Sequence, residues 1–525
     1  MAPKTSHWAD VNADKIIREK GDKQLYVVAS GITPSGTVHI GNFREIISTE
    51  LVARALRDRG KEVRFIYSWD DFDVFRKVPK NMPNPEELEG YLRKSITEVP
   101  DPHGAEESYA RANEVAVEQV LPLVGIEPDY IYQAKAYGTS RYSAEIRTAL
   151  EKEGAIRNIL NEHRTAPLGD DWKPVSVFCT ACGKDTTEVG AWDGDWSISF
   201  SCGSCGNRES VDLRDAKTVK LPWRIDWPMR WWKEGVDFEP AGKDHHSEGG
   251  SFDTAERIVE AVYDGTAPVS FQYDFVRIKG RGGKISSSSG EVVSLTDVLE
   301  IYTPEVVRFL FAGTRPNAEF AISFDLDVLK IYEDYDKCER TYFNKPESEK
   351  ALKKWEKQAR IYELSQVGAP PAQIPYQIPI RHLTNLLQTY NGDIDQTIAA
   401  LPDVEEYQLE RLRKRCECAW NWITTYAPDD FRFALKDSDA EPIELTAEEQ
   451  AALKSLAGIV ERLEEFDEKS LSEAIYGVAA DTGLESADLF RIVYQALIGK
   501  DRGPRLAAFI ISAGKERVAP LLGKY

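Results

Sequence analysis

Apolar residues near the start of the chain form two strand-like runs separated by a helix-like spacing. Leu25 to Ser30 is a short Val- and Ala-rich run that ends at Gly31, as is typical of a buried strand. Apolar side chains then recur at positions 43, 47, 51 and 55, and Gly60 closes this helical segment. Glu62 to Trp69 is the next strand-like run. The pattern predicts a right-handed parallel strand, helix, strand unit whose ligand lies at the carboxyl ends of the strands.

The later part of the chain has mainly helical patterns. Thr303 before Pro304 is typical of a helix cap followed by the first helical residue, and Thr446 with Glu449 predicts a capping box. Prolines at positions 370, 371, 375 and 379 predict a loop inside this region. We therefore expect α-helices to dominate the last third of the chain.

Composition is that of a large globular protein. With 525 residues, of which 42% are hydrophobic and 29% charged, the chain is long enough for about three or four domains. The first thirty residues lack the apolar core of a signal peptide, and no apolar run is long enough to cross a bilayer. We expect a cytoplasmic protein without a membrane partner, and we favour a monomer.

One turn joins the first predicted strand to the helix and carries a histidine. Residues 33–42 read Thr-Pro-Ser-Gly-Thr-Val-His-Ile-Gly-Asn. Free backbone amides and the helix dipole favour an anion at the start of the helix. His39 can donate a hydrogen bond to phosphate oxygens and can stabilise charge that grows during attack at an α-phosphorus. The alternative is an ordinary hydrogen-bonded histidine in a loop.

A second, basic segment far downstream could contact the same phosphates. Residues 279–284 read Lys-Gly-Arg-Gly-Gly-Lys, and Ile285 and four consecutive serines follow. Such a segment can close over a polyphosphate with cations, hydroxyls and backbone amides. The alternative is a solvated Gly/Ser surface loop.

Four stretches together resemble one known enzyme family. His39 to Asn42 resembles the HIGH motif of class I aminoacyl-tRNA synthetases, and Lys284 to Ser288 resembles their KMSKS loop. Residues 69–77, Trp-Asp-Asp-Phe-Asp-Val-Phe-Arg-Lys, and residues 235–245, Gly-Val-Asp-Phe-Glu-Pro-Ala-Gly-Lys-Asp-His, are similar to the class I lysyl-tRNA synthetases. Ser287 occupies the position of the second KMSKS lysine, so Lys284 is the charged position that matches. The resemblance covers most of the first 340 residues.

The resemblance implies a fold class and a domain plan. It implies an α/β protein with a doubly wound, parallel-sheet (Rossmann-like) catalytic domain, a zinc-containing insertion and a C-terminal α-helical domain. Residues 1–90 and 216–320 would be the two halves of the catalytic domain, the second with the KMSKS-like loop. Residues 91–215 would be the insertion, and residues 321–525 would contact the tRNA stem and bind the anticodon.

The implied reaction is that of a lysine–tRNA ligase and has two steps. Lysine would attack the α-phosphorus of ATP, which enters with Mg²⁺, to form lysyl-adenylate and pyrophosphate. The lysyl group would then pass to the terminal adenosine of tRNA(Lys). Three alternatives stay open: a class I synthetase for another amino acid such as glutamate, another adenylate-forming nucleotidyl transferase, and a catalytically silent RNA-binding zinc scaffold derived from a synthetase.

The resemblance also implies roles for individual side chains. Catalysis is assigned to His39, Asn42 and Lys284. ATP is expected to contact Pro34, Gly41, Gly242, Asp244, Lys284 and Ser286. Lysine is expected to contact Gly31, Thr33, Asp71, Trp223, His245 and Tyr273. The counter-charge for the lysine ammonium could be Asp70, Asp71 or Asp73, and ordinary strand-end capping is an equal alternative for each of them.

Four cysteines between these segments are spaced as zinc ligands. Cys179-Thr-Ala-Cys182 and Cys202-Gly-Ser-Cys205 are two CxxC pairs separated by residues 183–201. This pattern predicts a zinc ribbon, whose role should be structural because four thiolates leave no open position for water. Two disulfides or four free thiols are the alternatives, and the lack of a secretion signal disfavours disulfides.

Net charge is the main objection to an RNA partner. Lys plus Arg 66 against Asp plus Glu 87 gives −21, whereas RNA binding needs cations that face phosphates. Basic segments at residues 350–360 and 411–415 could face tRNA, although a solvated helix face is the more common meaning of such a run. The predicted tRNA partner therefore requires that surface charge be segregated.

Overall fold

The computed structural model describes residues 7–79, 82–279 and 292–525. These residues form two compact units. The first unit contains residues up to 298 together with 307–322 and 344–370, and the second contains 299–306, 323–343 and 371–525. Residues 344–370 therefore group with the first unit, although the chain passes through the second unit before it reaches them.

Strands and helices alternate in the first half of the chain, and helices follow. The strands are β1 (Leu25–Ile32), β2 (Glu62–Trp69), β3 (Asp129–Tyr132), β4 (Ser176–Val177), β5 (Thr187–Trp192), β6 (Ser197–Cys202), β7 (Arg208–Asp212), β8 (Val219–Lys220), β9 (Ala241–Gly242), β10 (Gln272–Tyr273), β11 (Val276–Ile278) and β12 (Phe320–Ile322). The helices up to residue 312 are α1 (Trp8–Lys20), α2 (Ile40–Arg57), α3 (Pro85–Glu89), α4 (Tyr109–Val120), α5 (Gln133–Gly138), α6 (Ser143–Glu151), α7 (Glu153–Asn161), α8 (Trp223–Glu234), α9 (Ser251–Tyr263), α10 (Leu295–Ile301) and α11 (Pro304–Ala312). The later helices are α12 (Asp327–Phe343), α13 (Glu349–Ser365), α14 (Ile380–Thr389), α15 (Ile394–Ala399), α16 (Leu409–Thr425), α17 (Ala447–Val460), α18 (Glu468–Thr482), α19 (Ser486–Ile498), α20 (Leu506–Ala513) and α21 (Lys515–Leu522).

The centre of the first unit is a parallel sheet. β1 pairs in parallel with β2, with Leu25 opposite Glu62, and β2 pairs in parallel with β3. Beyond β1, Phe238 bridges Val28 on one side and Val269 on the other, again in parallel. β9 and β10 continue this pairing. The sheet therefore grows outward from β1 in both directions, which confirms the predicted doubly wound arrangement.

The helix between β1 and β2 is covered by protein on nearly all sides. Phe43 and Ile47, which contribute to the predicted helical spacing, are buried together with most of α2. β1 runs through Ile32 and does not end at Gly31 as predicted. A Cβ at Gly31 would lie 2.6 Å from the carbonyl oxygen of Ser68 on β2, so glycine is required here for strand pairing and not for a turn.

A buried arginine connects α11 to three other segments of the first unit. The fully buried Arg308 guanidinium donates to Glu50 on α2 at 2.7 Å, to the Val124 carbonyl oxygen at 2.8 Å and to the Leu364 carbonyl oxygen at 3.0 Å. Although burial opposes ionisation, Arg308 and Arg54 hold the pKa of Glu50 below its ordinary value. The contacts join α2, α11 and α13, although Glu50 and Arg308 are 258 positions apart in the chain.

The insertion contains a small antiparallel sheet made of β5, β6 and β7 in that order. Ile198 and Phe200 of β6 are buried, as are Cys179 and Cys202. They share one core with side chains of α6, α7, α8 and α9, among them Met229. The cysteine-containing ribbon is therefore packed into the first unit.

The second unit is helical and has its own core, built from apolar side chains of α17 to α21. α11 begins at Pro304, as predicted. Thr446 and Glu449 form the predicted capping box at the start of α17. Residues 370–379 connect α13 to α14 without helix or strand, which agrees with the loop predicted from the prolines. In the described ranges no helix combines the length and the apolar character needed to cross a membrane.

The basic segment at residues 411–415 is occupied by ion pairs within the second unit. The pairs are Arg411 with Glu339, Arg413 with Asp395, Lys414 with Glu417 and Arg415 with Asp336, at 2.5 to 3.6 Å. A phosphate that bound this segment would compete with these carboxylates. Arg411 and Arg415 therefore pair with buried carboxylates, whereas Arg413 and Lys414 form exposed surface pairs.

Candidate active site

A cleft of about 960 Å³ opens at the carboxyl ends of the parallel strands. Gly31 and Ile32 at the end of β1, Asp70 directly after β2, Gly242 of β9 and Tyr273 of β10 all line it. These residues meet because parallel strands end at the same edge of the sheet. The cleft is where a doubly wound fold is expected to bind its ligand.

α2 begins at this cleft with His39 as its cap. The Nδ1 of His39 accepts a hydrogen bond from the Asn42 backbone amide at 3.3 Å, and the Asn42 side chain accepts one from the His39 amide at 3.2 Å. A Cβ at Gly41 would lie 2.9 Å from the imidazole ring, so glycine lets the ring fold against the helix start. Because Nδ1 accepts in the cap, the neutral ring carries its proton on Nε2. His39 is thereby oriented as a donor.

The backbone that follows the KMSKS-like segment lies on this helix start. The Ile40 amide donates to the Val293 carbonyl oxygen at 2.8 Å. Ser294 forms an antiparallel bridge with His39. The fold therefore brings Val293 and Ser294, which follow the second motif segment in the chain, to the start of α2.

Most of the predicted site residues that the structure describes line this one cleft. They are Gly31, Thr33, His39, Gly41, Asn42, Trp223, Gly242, Asp244, His245 and Tyr273. Two predicted residues, Lys284 and Ser286, lie outside the described residues. Pro34 is not among the residues that line the cleft, and its carbonyl oxygen accepts a hydrogen bond from Asn113 at 3.4 Å.

Asp71 also lies away from the cleft lining. Its buried carboxylate accepts a hydrogen bond from the Ala134 amide in the first turn of α5 at 2.7 Å, and burial raises the pKa of Asp71 to about 7. Its neighbours Asp70 and Asp73 do line the cleft. Successive residues of an extended chain point to opposite sides. Asp70 therefore faces the cleft, whereas Asp71 points away from it and accepts a hydrogen bond at the start of α5. This geometry does not support the predicted contact between Asp71 and lysine.

Trp223 and His245 form part of the cleft wall, with a second tryptophan behind them. Trp223 is the first residue of α8, is 39% exposed and stacks on Trp227 with ring centroids 4.8 Å apart. The His245 ring meets the edge of Trp227 at 5.8 Å, and its Nδ1 is 2.5 Å from the Ser251 hydroxyl. Trp227 supplies core packing, whereas the exposed part of the Trp223 ring offers an apolar wall to a ligand.

Asp70 and Asp226 share one buried arginine beside this wall. Arg230 lies 2.7 Å from Asp70 and 3.1 Å from Asp226, and it also donates to Ser68 at 2.5 Å. Tyr137 donates to Asp226. Burial raises the pKa of Asp226, and Arg230 opposes that rise. Both carboxylates line the cleft, and they share the single positive charge of Arg230.

The four cysteines of the CxxC pairs converge on one point in the insertion. Their sulfur atoms all lie within 4.8 Å of one another, and the Cys179–Cys205 and Cys182–Cys202 separations are 3.6 Å and 3.7 Å. Sulfurs of a tetrahedral zinc site with Zn–S bonds of about 2.3 Å lie roughly 3.8 Å apart. The observed separations are too long for disulfides. The donor set therefore fits a four-thiolate zinc site.

Comparisons with known proteins agree with this geometry. The profile of a family described as tRNA synthetases class I (K) matches residues 6–368, and that of an anticodon binding domain matches residues 394–520. A protein of Borreliella burgdorferi named lysine–tRNA ligase is 53% identical over 527 residues, which cover 99% of this chain and 100% of that protein. Proteins of the same name from Treponema pallidum and Thermococcus kodakarensis are 54% and 44% identical, with 100% and 98% of this chain and 100% and 98% of those proteins covered. The chain belongs to the class I lysyl-tRNA synthetases.

Membership of the class I lysyl-tRNA synthetases confirms the predicted family and the predicted class of enzyme, an aminoacyl-tRNA ligase. The family match at residues 6–368 includes the HIGH-like turn and the KMSKS-like segment. The anticodon-domain match at residues 394–520 lies within the second unit. Both motif segments thus lie within the match to the synthetase family, and most of the helical region lies within the match to the anticodon binding domain.

Sequence reasoning missed one cleft residue of this class I synthetase. Glu45 lies on α2 and lines the cleft with His39 and Asn42. Positions 39, 42 and 45 recur at a spacing of three and so share one face of a helix. An extension of the HIGH-like motif by one helical turn would have indicated Glu45.

Proposed function

We propose that this chain is a lysine–tRNA ligase that forms lysyl-adenylate from lysine and ATP and then esterifies the terminal adenosine of tRNA(Lys). One observation carries the proposal: the backbone after the KMSKS-like segment is hydrogen bonded to the helix start at His39, in a cleft at the strand ends. A helix start of this kind is suited to phosphate. The full-length relatives named lysine–tRNA ligase support the same reaction.

In the first step the protein supplies alignment and electrostatic stabilisation. A carboxylate oxygen of lysine attacks the α-phosphorus of ATP, and the bond from that phosphorus to the pyrophosphate oxygen breaks. The amides at the start of α2 and the Nε2–H of His39 donate to the phosphate oxygens as negative charge accumulates. Asn42 keeps the imidazole in place through the cap. Lys284 and Ser286 are assigned to the triphosphate, and Mg²⁺ accompanies ATP.

The remaining cleft residues divide between the nucleoside and the amino acid. Gly41, Gly242 and Asp244 are assigned to ATP, with Asp244 as an acceptor for ribose hydroxyls. Gly31 and Thr33 are assigned to the amino-acid backbone near the end of β1. The side chain of lysine is enclosed by Trp223, His245 and Tyr273, whose positions around the cleft support this assignment.

In the second step a hydroxyl of the terminal adenosine of tRNA attacks the carbonyl carbon of lysyl-adenylate, and the bond to AMP breaks. The match to an anticodon binding domain at residues 394–520 supports a tRNA partner. We assign the reaction to a monomeric enzyme of the cytoplasm.

Amino-acid-dependent exchange of pyrophosphate into ATP tests this function. The purified protein is expected to catalyse the exchange with lysine and to charge tRNA(Lys) in a second assay. Exchange with glutamate in place of lysine would retain the class of enzyme and refute the substrate. Retained tRNA binding without exchange for any amino acid would instead support the silent RNA-binding scaffold.

We further propose that Cys179, Cys182, Cys202 and Cys205 hold one structural zinc ion. The ion would stabilise the ribbon and would take no part in the reaction, because four thiolates leave no position for water. Phe178, the neighbour of Cys179, packs on Phe72 with ring centroids 5.0 Å apart, and both rings line the cleft. Loss of the ion would therefore disturb a part of the cleft wall.

Replacement of Cys182 by serine is expected to remove the zinc and to lower the first thermal transition by about 5 °C, since metal binding contributes to folding. Elemental analysis of the wild type should give one zinc per chain. The change in the ribbon should appear in tryptophan fluorescence, because Trp192 and Trp196 pack against its core. Cys338→Ser, at a buried cysteine of the second unit, is the matched control and should keep the zinc. Full zinc content in Cys182→Ser would contradict the assignment.

A further inference from the structure

Glu45 is held by two neutral donors at the wall of the cleft. One carboxylate oxygen accepts a hydrogen bond from the Gly31 amide at 3.2 Å, and the other accepts one from the Tyr273 hydroxyl at 2.5 Å. Gly31 and Tyr273 line the cleft with it, and both are assigned to lysine above. The two donors fix the carboxylate in one orientation beside the amino-acid site.

Several other carboxylates that line the cleft have cationic partners within the protein. The pairs are Asp70 with Arg230 at 2.7 Å, Asp73 with Arg76 at 3.0 Å, Asp226 with Arg230 at 3.1 Å and Asp274 with Lys243 at 2.8 Å. Within residues 7–79, 82–279 and 292–525, Glu45 makes no ion pair of this kind. A partly buried carboxylate without a cation is costly to ionise, and a ligand cation would remove that cost.

The position of Glu45 along α2 matches the length of lysine. Glu45 lies six positions after His39, which corresponds to roughly 9 Å of helix. In an extended lysine, Nζ is six bonds and roughly 7 Å from the carboxylate carbon, whereas the α-amino nitrogen is only two bonds from it. With the reacting carboxylate near His39, the side-chain ammonium can reach Glu45 and the α-ammonium remains near the helix start.

We propose that Glu45 binds the side-chain ammonium of the substrate and thereby sets the preference for lysine. This assignment rests on the proposed function and replaces Asp70, Asp71 and Asp73 as candidates for the counter-charge. The ammonium completes an ion pair with Glu45, while the Tyr273 hydroxyl keeps the carboxylate in place. A neutral side chain of the same length gains no such pair, and an acidic one is repelled.

Glu45→Gln separates charge recognition from folding, because glutamine keeps the size of the side chain. Its carbonyl oxygen can accept from the Gly31 amide, and its amide nitrogen can donate to the Tyr273 hydroxyl oxygen. The KM for lysine in pyrophosphate exchange is expected to rise about thirty-fold, as for loss of a charge-assisted hydrogen bond. The inhibition constant of 6-hydroxynorleucine, in which a hydroxyl replaces the side-chain ammonium, is expected to change less than about two-fold. Glu145→Gln is the control for a substitution at a buried glutamate, because Glu145 pairs with Lys233 and lies outside the cleft lining.

Two results would overturn the assignment. An equal loss of affinity for lysine and for 6-hydroxynorleucine would mean that Glu45 only positions Tyr273 and Gly31 or binds the α-ammonium. An unchanged KM for lysine in folded Glu45→Gln would mean that the ammonium binds elsewhere. A wild-type protein without lysine-dependent exchange would instead refute the proposed function, so the two failures are distinguishable.

A measurement on the wild type tests the same assignment without any variant. Burial raises the pKa of Glu45 to about 8, so the neutral acid predominates in the empty cleft at pH 7. Binding of an ammonium would ionise Glu45 and release a proton. Calorimetry at pH 7 in buffers of different ionisation heat should detect this release with lysine and not with 6-hydroxynorleucine. Equal proton release with both ligands would contradict the proposal.

The pH dependence of lysine affinity has a definite sign. Because only ionised Glu45 attracts the ammonium, the KM for lysine should rise by up to about tenfold per unit as the pH falls below 8, and should level off above it. The titratable groups that face Glu45 from other elements are Tyr67, Asp70, Glu239 and Tyr273. Burial raises the pKa of Glu239 to about 7, and Glu239 is present in both the wild type and Glu45→Gln. The difference between the wild type and Glu45→Gln in how the KM for lysine depends on pH therefore measures the ionisation of Glu45. An identical pH dependence in the two proteins would contradict the proposed role of Glu45.

Discussion

Replacement of His39 by asparagine is expected to lower the rate of lysine-dependent pyrophosphate exchange by about 10² to 10³-fold while the thermal unfolding temperature stays unchanged. Asparagine is a good helix cap and can accept from the Asn42 amide as Nδ1 of His39 does. The variant lacks only the Nε2–H donor toward the phosphates. Initial exchange rates at saturating lysine and ATP measure the effect on the chemical step.

His39→Ala is the companion variant, because it removes both the donor and the cap. It should lose the same activity and in addition about 1 kcal/mol of stability, which is typical of a lost helix cap. Wild-type exchange in His39→Asn would show that His39 serves only to cap α2. The electrostatic part of the proposed mechanism would then be wrong, although the family assignment would stand.

The second large effect is expected on stability. Arg308→Leu should lower the free energy of unfolding of the first unit by about 3 to 5 kcal/mol, because it leaves a buried carboxylate without its main partner. Glu50 would keep Arg54, and the carbonyl oxygens of Val124 and Leu364 would lose their donor. Urea unfolding followed by tryptophan fluorescence measures the change in free energy.

Two controls separate this buried ion pair from ordinary surface charge. Arg257 and Glu162 form an ion pair at 2.5 Å on the surface, and Arg257→Leu should change stability little because water screens it. The double variant Glu50→Leu with Arg308→Leu should recover a part of the loss, since neither buried charge remains. A loss in Arg308→Leu no larger than that in Arg257→Leu would refute the importance of the buried pair.

Features that depend on neighbouring residues were predicted well. The bounds of β2, the start of α11 at Pro304 and the capping box of α17 all agree with the structure. Each depends on features within a few residues, such as a short buried run or a side chain that accepts from an amide three positions later. The predicted end of β1 at Gly31 was wrong, because the glycine is required by Ser68 on another strand.

The sequence predicted most of the residues that line the candidate site, but it did not predict which carboxylates face the cleft. The HIGH-like turn, Trp223, His245 and Tyr273 do line one cleft. Asp71 does not line it, and Glu45, which was not predicted, does. Which of several carboxylates faces a ligand depends on strand pleat and on partners such as Arg230, and neither can be read from adjacent residues.

The sequence by itself determined the family, the parallel strand and helix unit, the spacing of four cysteines and the helical character of the last third. These follow from local periodicity and from motifs whose chemistry lies within a few positions. Only the tertiary structure decided that Val293 and Ser294 lie on the helix start at His39, that Arg411 and Arg415 pair with buried carboxylates of α12, and that Glu45 lacks a cation among the described residues. Such contacts join distant positions, and their free energies depend on burial and on neighbouring charge, which exist only after the chain has folded.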